Sequence, residues 1–215
     1  MGRPEKPSQV RGYTMSARQD AVDDTRLRIT EATMRLHERV GPRETTVSAI
    51  AEEAGVTRVT VYRHFPDEES LVVACSTHWA GLHPRPDPSS WAQVSDPVLR
   101  VRTALEETYE WARTAAPMMT KIQRDLDSMP PFVARLLADD EKTRVSTLSV
   151  GFRVRGRAAR RLSACLAHAL RVSTWQSLCV DGGLGDSEAA ALMVGAVQAA
   201  VLGGHRDSHA TPSAR

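Results

Sequence analysis

The chain is predicted to be all-α, with a small N-terminal domain built on a helix-turn-helix and a larger C-terminal helical domain. Three observations carry that expectation. No stretch of its 215 residues alternates apolar and polar side chains convincingly enough for a strand, whereas apolar residues recur at helical spacing from Ile29 onward. Residues 45–66 read as two short helices around a glycine turn. The run His83-Pro84-Arg85-Pro86-Asp87-Pro88 then breaks every regular structure and marks a domain boundary.

Residues 1–21 read as a disordered basic arm, because within residues 1–18 Arg3, Lys6, Arg11 and Arg18 stand against a single acid, Glu5, among Pro, Gly and Ser. Such an arm can lie along phosphates or enter a minor groove, with Gly2-Arg3-Pro4 a short match to a minor-groove hook; a solvated tail is the alternative. The N-terminal domain is expected over 22–82. Ile29, Ala32, Leu36 and Val40 give its first helix, stopped by Gly41-Pro42. Val47, Ile50, Ala51 and Ala54, at i, i+3, i+4, i+7, give the second an apolar stripe that needs a partner. Gly55 supplies the left-handed residue that ends it. Thr57 can cap the third helix and Pro66 cannot continue it, so the helix-turn-helix spans about 45–64. Val61 and Phe65 fall inward on that third helix, leaving Arg58, Val59, Thr60 and Arg63 mostly outward. An outward face with two Arg and a Thr suits base edges and phosphates in a major groove, although the same packing occurs in proteins that bind no DNA. Leu71, Cys75 and Trp79 continue into a fourth helix.

A proline-rich linker is expected over 83–95, then a helical domain over 96–204, with helices near 96–114, 116–127, 131–150, 155–180 and 186–203 divided by Pro117, Pro130-Pro131, Gly151 to Gly156 and Gly182-Gly183. Residues 205–215 read as a disordered tail. Tyr109, Trp111, Met118, Met119, Ile122, Met129, Phe132 and Trp175 are large, adaptable side chains able to line an apolar pocket, with core packing as the alternative. From Thr143 to Val180 no acid occurs, whereas Arg144, Arg153, Arg155, Arg157, Arg160, Arg161 and Arg171 do, so the segment either attracts an anion or partner or is a solvated charge run.

Composition narrows the class. At 41% hydrophobic and 25% charged the chain is globular; it has no apolar run near the roughly 20 residues of a membrane span, and its N-terminus is too polar for a signal peptide. A cytoplasmic protein with no membrane partner is expected. Cys75, Cys165 and Cys179 are odd in number and widely spaced, which favours reduced thiols over disulfides or zinc. The seven histidines show no metal-ligand spacing, and there is no nucleophile motif or phosphate-binding glycine loop. No enzyme activity, catalytic residue, metal or cofactor is expected. A net charge of +2 implies no nucleic-acid binding by itself, so DNA affinity must come from local placement.

Residues 26–80 resemble the DNA-binding domain of tetracycline-repressor (TetR) family transcription regulators, on Ile29, Ala32, Leu36, Gly41, Thr45-Thr46-Val47, Ile50-Ala51, Ala54-Gly55-Val56, Tyr62, His64-Phe65-Pro66 and Leu71. Three positions depart from that pattern. His37 stands where the family usually has a large aromatic, Val59 where glycine is common, and Glu68 where a lysine usually meets a phosphate. Val59 can instead touch a thymine methyl, and Glu68, with Glu69, suits the first turn of a helix capped by Asp67. The resemblance implies DNA contacts from Thr46, Thr57, Arg58, Val59, Thr60, Tyr62, Arg63 and His64, and a small-molecule effector bound inside the larger domain, hydrophobic or aromatic given its Met and Trp. It also implies a homodimer through the last two helices, about 155–203, reading a palindromic double-stranded operator, and repression relieved by ligand. The alternative is a helical interaction module, or a regulator whose DNA binding no ligand controls.

Overall fold

In the computed structural model the backbone is described for residues 9–202 and the side chains for 19–202. Among the described residues there are helices and turns but no strand. The chain divides into two compact units, one ending at Leu82 and the other beginning at His83.

The first unit contains α1 (Gln9–Arg39), a 3-10 turn (Pro42–Glu44), α2 (Val47–Glu53), α3 (Arg58–His64) and α4 (Glu68–Leu82). The first helix begins at Gln9, so residues 9–21, expected as a disordered arm, are helical; Arg3 and Lys6 lie outside the described residues, as does the tail 205–215. The reason is local: no proline follows Pro7 until Pro42, and Gln, Arg, Ala and Met all have good helix propensity. Gly41, at φ 98°, ends the helix region and lets Pro42 open the 3-10 turn. One cluster forms the core, with Ile29, Ala32 and Leu36 of α1 against Ile50, Ala51 and Ala54 of α2, Val61 and Phe65 of α3, and Leu71 of α4. His37 is buried in this core, its Nδ1 3.8 Å from the Cys75 Sγ. Burial, helped by the charge of Glu38, pushes that thiol up to about 12. Asp67 accepts from the Ser70 N–H at 2.7 Å, capping α4 ahead of Glu68 and Glu69.

The second unit contains α5 (Pro88–Ala92), α6 (Pro97–Arg124), α7 (Pro131–Ser149), α8 (Gly156–Ala169), α9 (Val172–Trp175), a π-helical stretch (Gln176–Asp181) and α10 (Asp186–Leu202). Three expectations are corrected here. The stretch 83–95 is not wholly irregular: Asp87 accepts from the Ser89 N–H at 2.9 Å and Pro88 takes the first helical position, where its missing donor costs nothing. The resulting short helix buries Trp91 completely, its Nε1 donating to Glu107 Oε2 at 2.7 Å.

Pro117 does not divide a helix but lies inside α6. Buried Ala112, Ala115, Ala116, Met118 and Met119 on both sides of it keep the helix in register, so packing outweighs one lost backbone bond. The segment 155–180 is not one helix. At Leu170–Arg171 the backbone leaves the helical region, and two terminal carbonyls of α8 are taken by hydroxyls: Tyr109 donates to Ala169 at 3.0 Å and Thr174 to His168 at 2.5 Å. Cys75 is buried, Cys165 and Cys179 half-buried, and all three are free thiols. No helix among the described residues is long and apolar enough to cross a membrane.

Candidate nucleic-acid interface

Local chemistry sets the geometry of α2 and α3. Thr46 caps α2 by accepting from the Ala49 N–H at 3.1 Å. At its other end the Gly55 N–H donates to Glu52 O at 3.1 Å and the Val56 N–H to Ala51 O at 2.9 Å, the paired bonds of a Schellman stop. That motif requires a left-handed residue, and Gly55 sits at φ 64°. Two residues on, Thr57 caps α3 by accepting from the Thr60 N–H at 3.1 Å, and its hydroxyl lies 2.9 Å from that of Thr60. Each helix has about two turns, and the angle between them is fixed by the buried contacts of Ile50 and Ala54 with Val61 and Phe65.

Burying Val61 and Phe65 turns the opposite face of α3 outward. Arg58, Tyr62 and Arg63 are exposed, and Val59 is the most exposed large apolar side chain of the described residues, at 77%. Neither the Arg58 nor the Arg63 guanidinium makes a hydrogen bond or ion pair among the described residues, so both keep their donors for a partner. Thr46 and Thr57 are exposed but spend their oxygens as caps, and Thr60 is half-buried. His64 does not share the exposed face: it is half-buried, and its Nε2 is enclosed without a hydrogen-bond partner. Burial, then the charges of Arg63 and Arg26, lower its pKa and favour the neutral ring.

Sequence reasoning missed how α1 braces this pair. Arg26 Nη1 donates to His64 O at 2.6 Å while its guanidinium covers the Phe65 ring at 4.1 Å. Arg28 Nη1 donates to Ala54 O at 3.1 Å. The carbonyl ends of α3 and α2, where cations are favoured, are thus each held by an arginine of α1. Glu53 is gripped by Arg35 and Arg39, both at 3.0 Å. No periodicity in the sequence signals these contacts, because they join residues far apart in the chain through polar termini.

Residues 29–75 match the family model described as bacterial regulatory proteins, tetR family. This segment is a TetR-family domain. Around it, the all-α fold is shared with known structures. A TetR-family transcriptional regulator from Streptomyces coelicolor superimposes with a TM-score of 0.58 at 17% identity, covering 86% of this chain and 83% of that one. A Clostridium perfringens protein described as a fatty acid metabolism regulator gives a TM-score of 0.55 at 14% identity, covering 82% of this chain and 97% of that one. At such identities the likeness is one of fold. No curated protein matches the chain in sequence. Within the TetR-family domain, α2 and α3 are the helix-turn-helix, and the chain carries the DNA-binding module of transcriptional regulators.

In the second unit, the eight side chains expected to line a pocket are all buried or half-buried. Tyr109, Trp111, Met118, Met119, Met129 and Trp175 are buried, and Ile122 and Phe132 half-buried. The polar atoms of three of them close the fold: Tyr109 on Ala169, Trp111 Nε1 on His83 O at 3.1 Å, and Trp175 Nε1 on Asp186 Oδ1 at 3.0 Å. Of the eight, Met119 lines a cavity of about 80 Å³ between α6, α7 and α8, whose wall includes Arg85, Asp140 and Arg144. Arg144, read in sequence as part of a basic run, is therefore buried rather than solvated.

Proposed function

We propose that this chain is a dimeric transcriptional repressor that reads a palindromic operator with α3 and is released from it by a small molecule bound in the second unit. The observation that carries the reading is the outward face of α3, with Arg58, Val59, Tyr62 and Arg63 clear of the protein and braced from behind by Arg26 and Arg28. Arg58 and Arg63 can reach guanine edges or phosphates, Val59 a thymine methyl, and the Tyr62 hydroxyl a phosphate. Thr46 and Thr57, at helix N-termini, add hydroxyl and backbone donors toward the phosphate backbone.

Dimerisation is supported by α10, where Leu192, Gly195, Ala196 and Ala199 form an exposed stripe at i, i+3, i+4, i+7. Small residues allow the close approach of a second copy, and two-fold symmetry would set two recognition helices about 34 to 36 Å apart, one turn of duplex. Ligand control then follows as a population shift: an effector preferring one separation of the two reading heads lowers operator affinity by its differential affinity for the two arrangements.

The test is fluorescence anisotropy of the purified chain on duplex DNA across a salt series. A reader that engages phosphates gives log affinity falling linearly with log salt. A helical interaction module gives no salt-dependent duplex binding, which would defeat the proposal.

A further inference from the structure

The cavity of about 80 Å³ in the second unit has an unusual charge arrangement. Arg85 Nη1 and Arg144 Nε converge on the same oxygen, Asp140 Oδ2, at 2.7 and 2.8 Å. Both guanidiniums are also held on indole faces, Arg85 over Trp111 at 4.7 Å and Arg144 over Trp91 at 5.2 Å. Two fixed cations thus share one carboxylate, and the Arg85 Nε is buried with no hydrogen-bond partner. Neighbouring acids do not cancel the surplus. Glu141 lies 3.8 Å from Arg171, both of them about half exposed at the rim. Asp87 feels Arg144 but is solvent-exposed and spends both oxygens on Ser89. The facing wall is apolar, from Met119, Leu137, Ala167 and Leu170.

We propose that this cavity binds a short-chain organic monocarboxylate, its carboxylate at Arg85 and Arg144 and its alkyl body against the Met119 and Leu170 wall. A partly buried positive surplus, with Arg144 enclosed and Arg85 about 30% exposed, is costly and an incoming anion relieves it, while guanidiniums already fixed on Trp111 and Trp91 lose little freedom on accepting a ligand. The volume suits a carboxylate with a short tail. The proposal rests on the effector reading above and names the ligand's class: an acid with a small apolar part, in place of the purely hydrophobic or aromatic molecule expected from the Met and Trp content.

Calorimetric titration of the full chain with butyrate, its neutral isostere butyramide and inorganic phosphate tests it. Butyrate is expected to bind, and butyramide to bind about tenfold or more weakly, as loss of a charge-assisted pair implies. Arg85→Gln removes the surplus and is expected to weaken butyrate by a similar factor. Should that variant fold poorly, Ala167→Leu fills the void and leaves every charge in place; it too is expected to lose butyrate. Equal binding of butyramide, absence of butyrate binding, or unchanged butyrate binding in Ala167→Leu would overturn the site, and phosphate as tight as butyrate would overturn its specificity for a carboxylate with an apolar body. The effector role is read separately by anisotropy on DNA. Butyrate that binds but leaves DNA affinity unchanged upholds the site and defeats the effector role, whereas release of DNA by a neutral ligand, with no butyrate binding, does the reverse.

Discussion

Replacing Gly55 isolates the conformational requirement of the turn between α2 and α3. The residue sits at φ 64°, and a Cβ built on it meets nothing within 4 Å, so a substitution there carries backbone strain without steric conflict. An L-residue held in the left-handed region costs about 1 to 2 kcal/mol, less for Asn and more for a β-branched side chain. Gly55→Asn, Gly55→Ala and Gly55→Val should therefore destabilise the pair in that order. The assay is amide hydrogen exchange over residues 47–64, where the Ala variant should lower protection about 5- to 30-fold, the factor corresponding to about 1 to 2 kcal/mol. DNA affinity should change little, since such a loss leaves the folded form dominant. Unchanged protection in Gly55→Ala, or Asn as damaging as Val, would refute the argument that the backbone dihedral alone demands glycine.

Arg58→Ala and Arg63→Ala should each weaken operator binding by about 1 to 3 kcal/mol if they read bases, with unfolding curves unchanged because neither guanidinium supports the fold; an unaltered gel-shift titration would reject the assignment. His64 has a folded pKa below its ordinary 6.5, with burial the main cause. Its unfolded form takes up the proton first, so stability is full above that value and declines as pH falls toward the folded pKa; NMR titration of the ring should place the midpoint below 6.5, and added salt should raise it only in part, since desolvation is not screened. Glu53 is lowered in the folded state by its bonds from Arg35 and Arg39. Its contribution is present above the ordinary carboxylate range and lost as pH falls through the folded pKa, so Glu53→Gln should flatten the acid limb of the stability profile measured by urea unfolding.

Local rules made the helix-turn-helix readable. The spacing of Val47, Ile50, Ala51 and Ala54 repeats within two helical turns, the left-handed need at Gly55 and the caps at Thr57 and Asp67 act over four residues or fewer, and the structure shows each in place. The features that escaped depend on distant partners. Pro117 reads as a helix break until the buried residues flanking it are seen to hold α6 together. Asp87-Pro88 reads as a linker because proline breaks a helix interior as readily as it opens a helix, and nothing local reveals that Trp91 will be buried. The Met and Trp cluster reads as a ligand pocket from the sequence, which does not show that its polar atoms also close α8, the segment at His83 and the start of α10, or that one cavity is walled by Arg85, Asp140 and Arg144 from separate segments.

The central claim, that α3 reads DNA as one of a symmetric pair, is tested most directly by selecting bound sequences from a random duplex library with the purified chain. Enrichment of a motif with two-fold symmetry, its half-sites about one helical turn apart, is the predicted result. Absence of any enriched sequence across a range of salt would contradict the account.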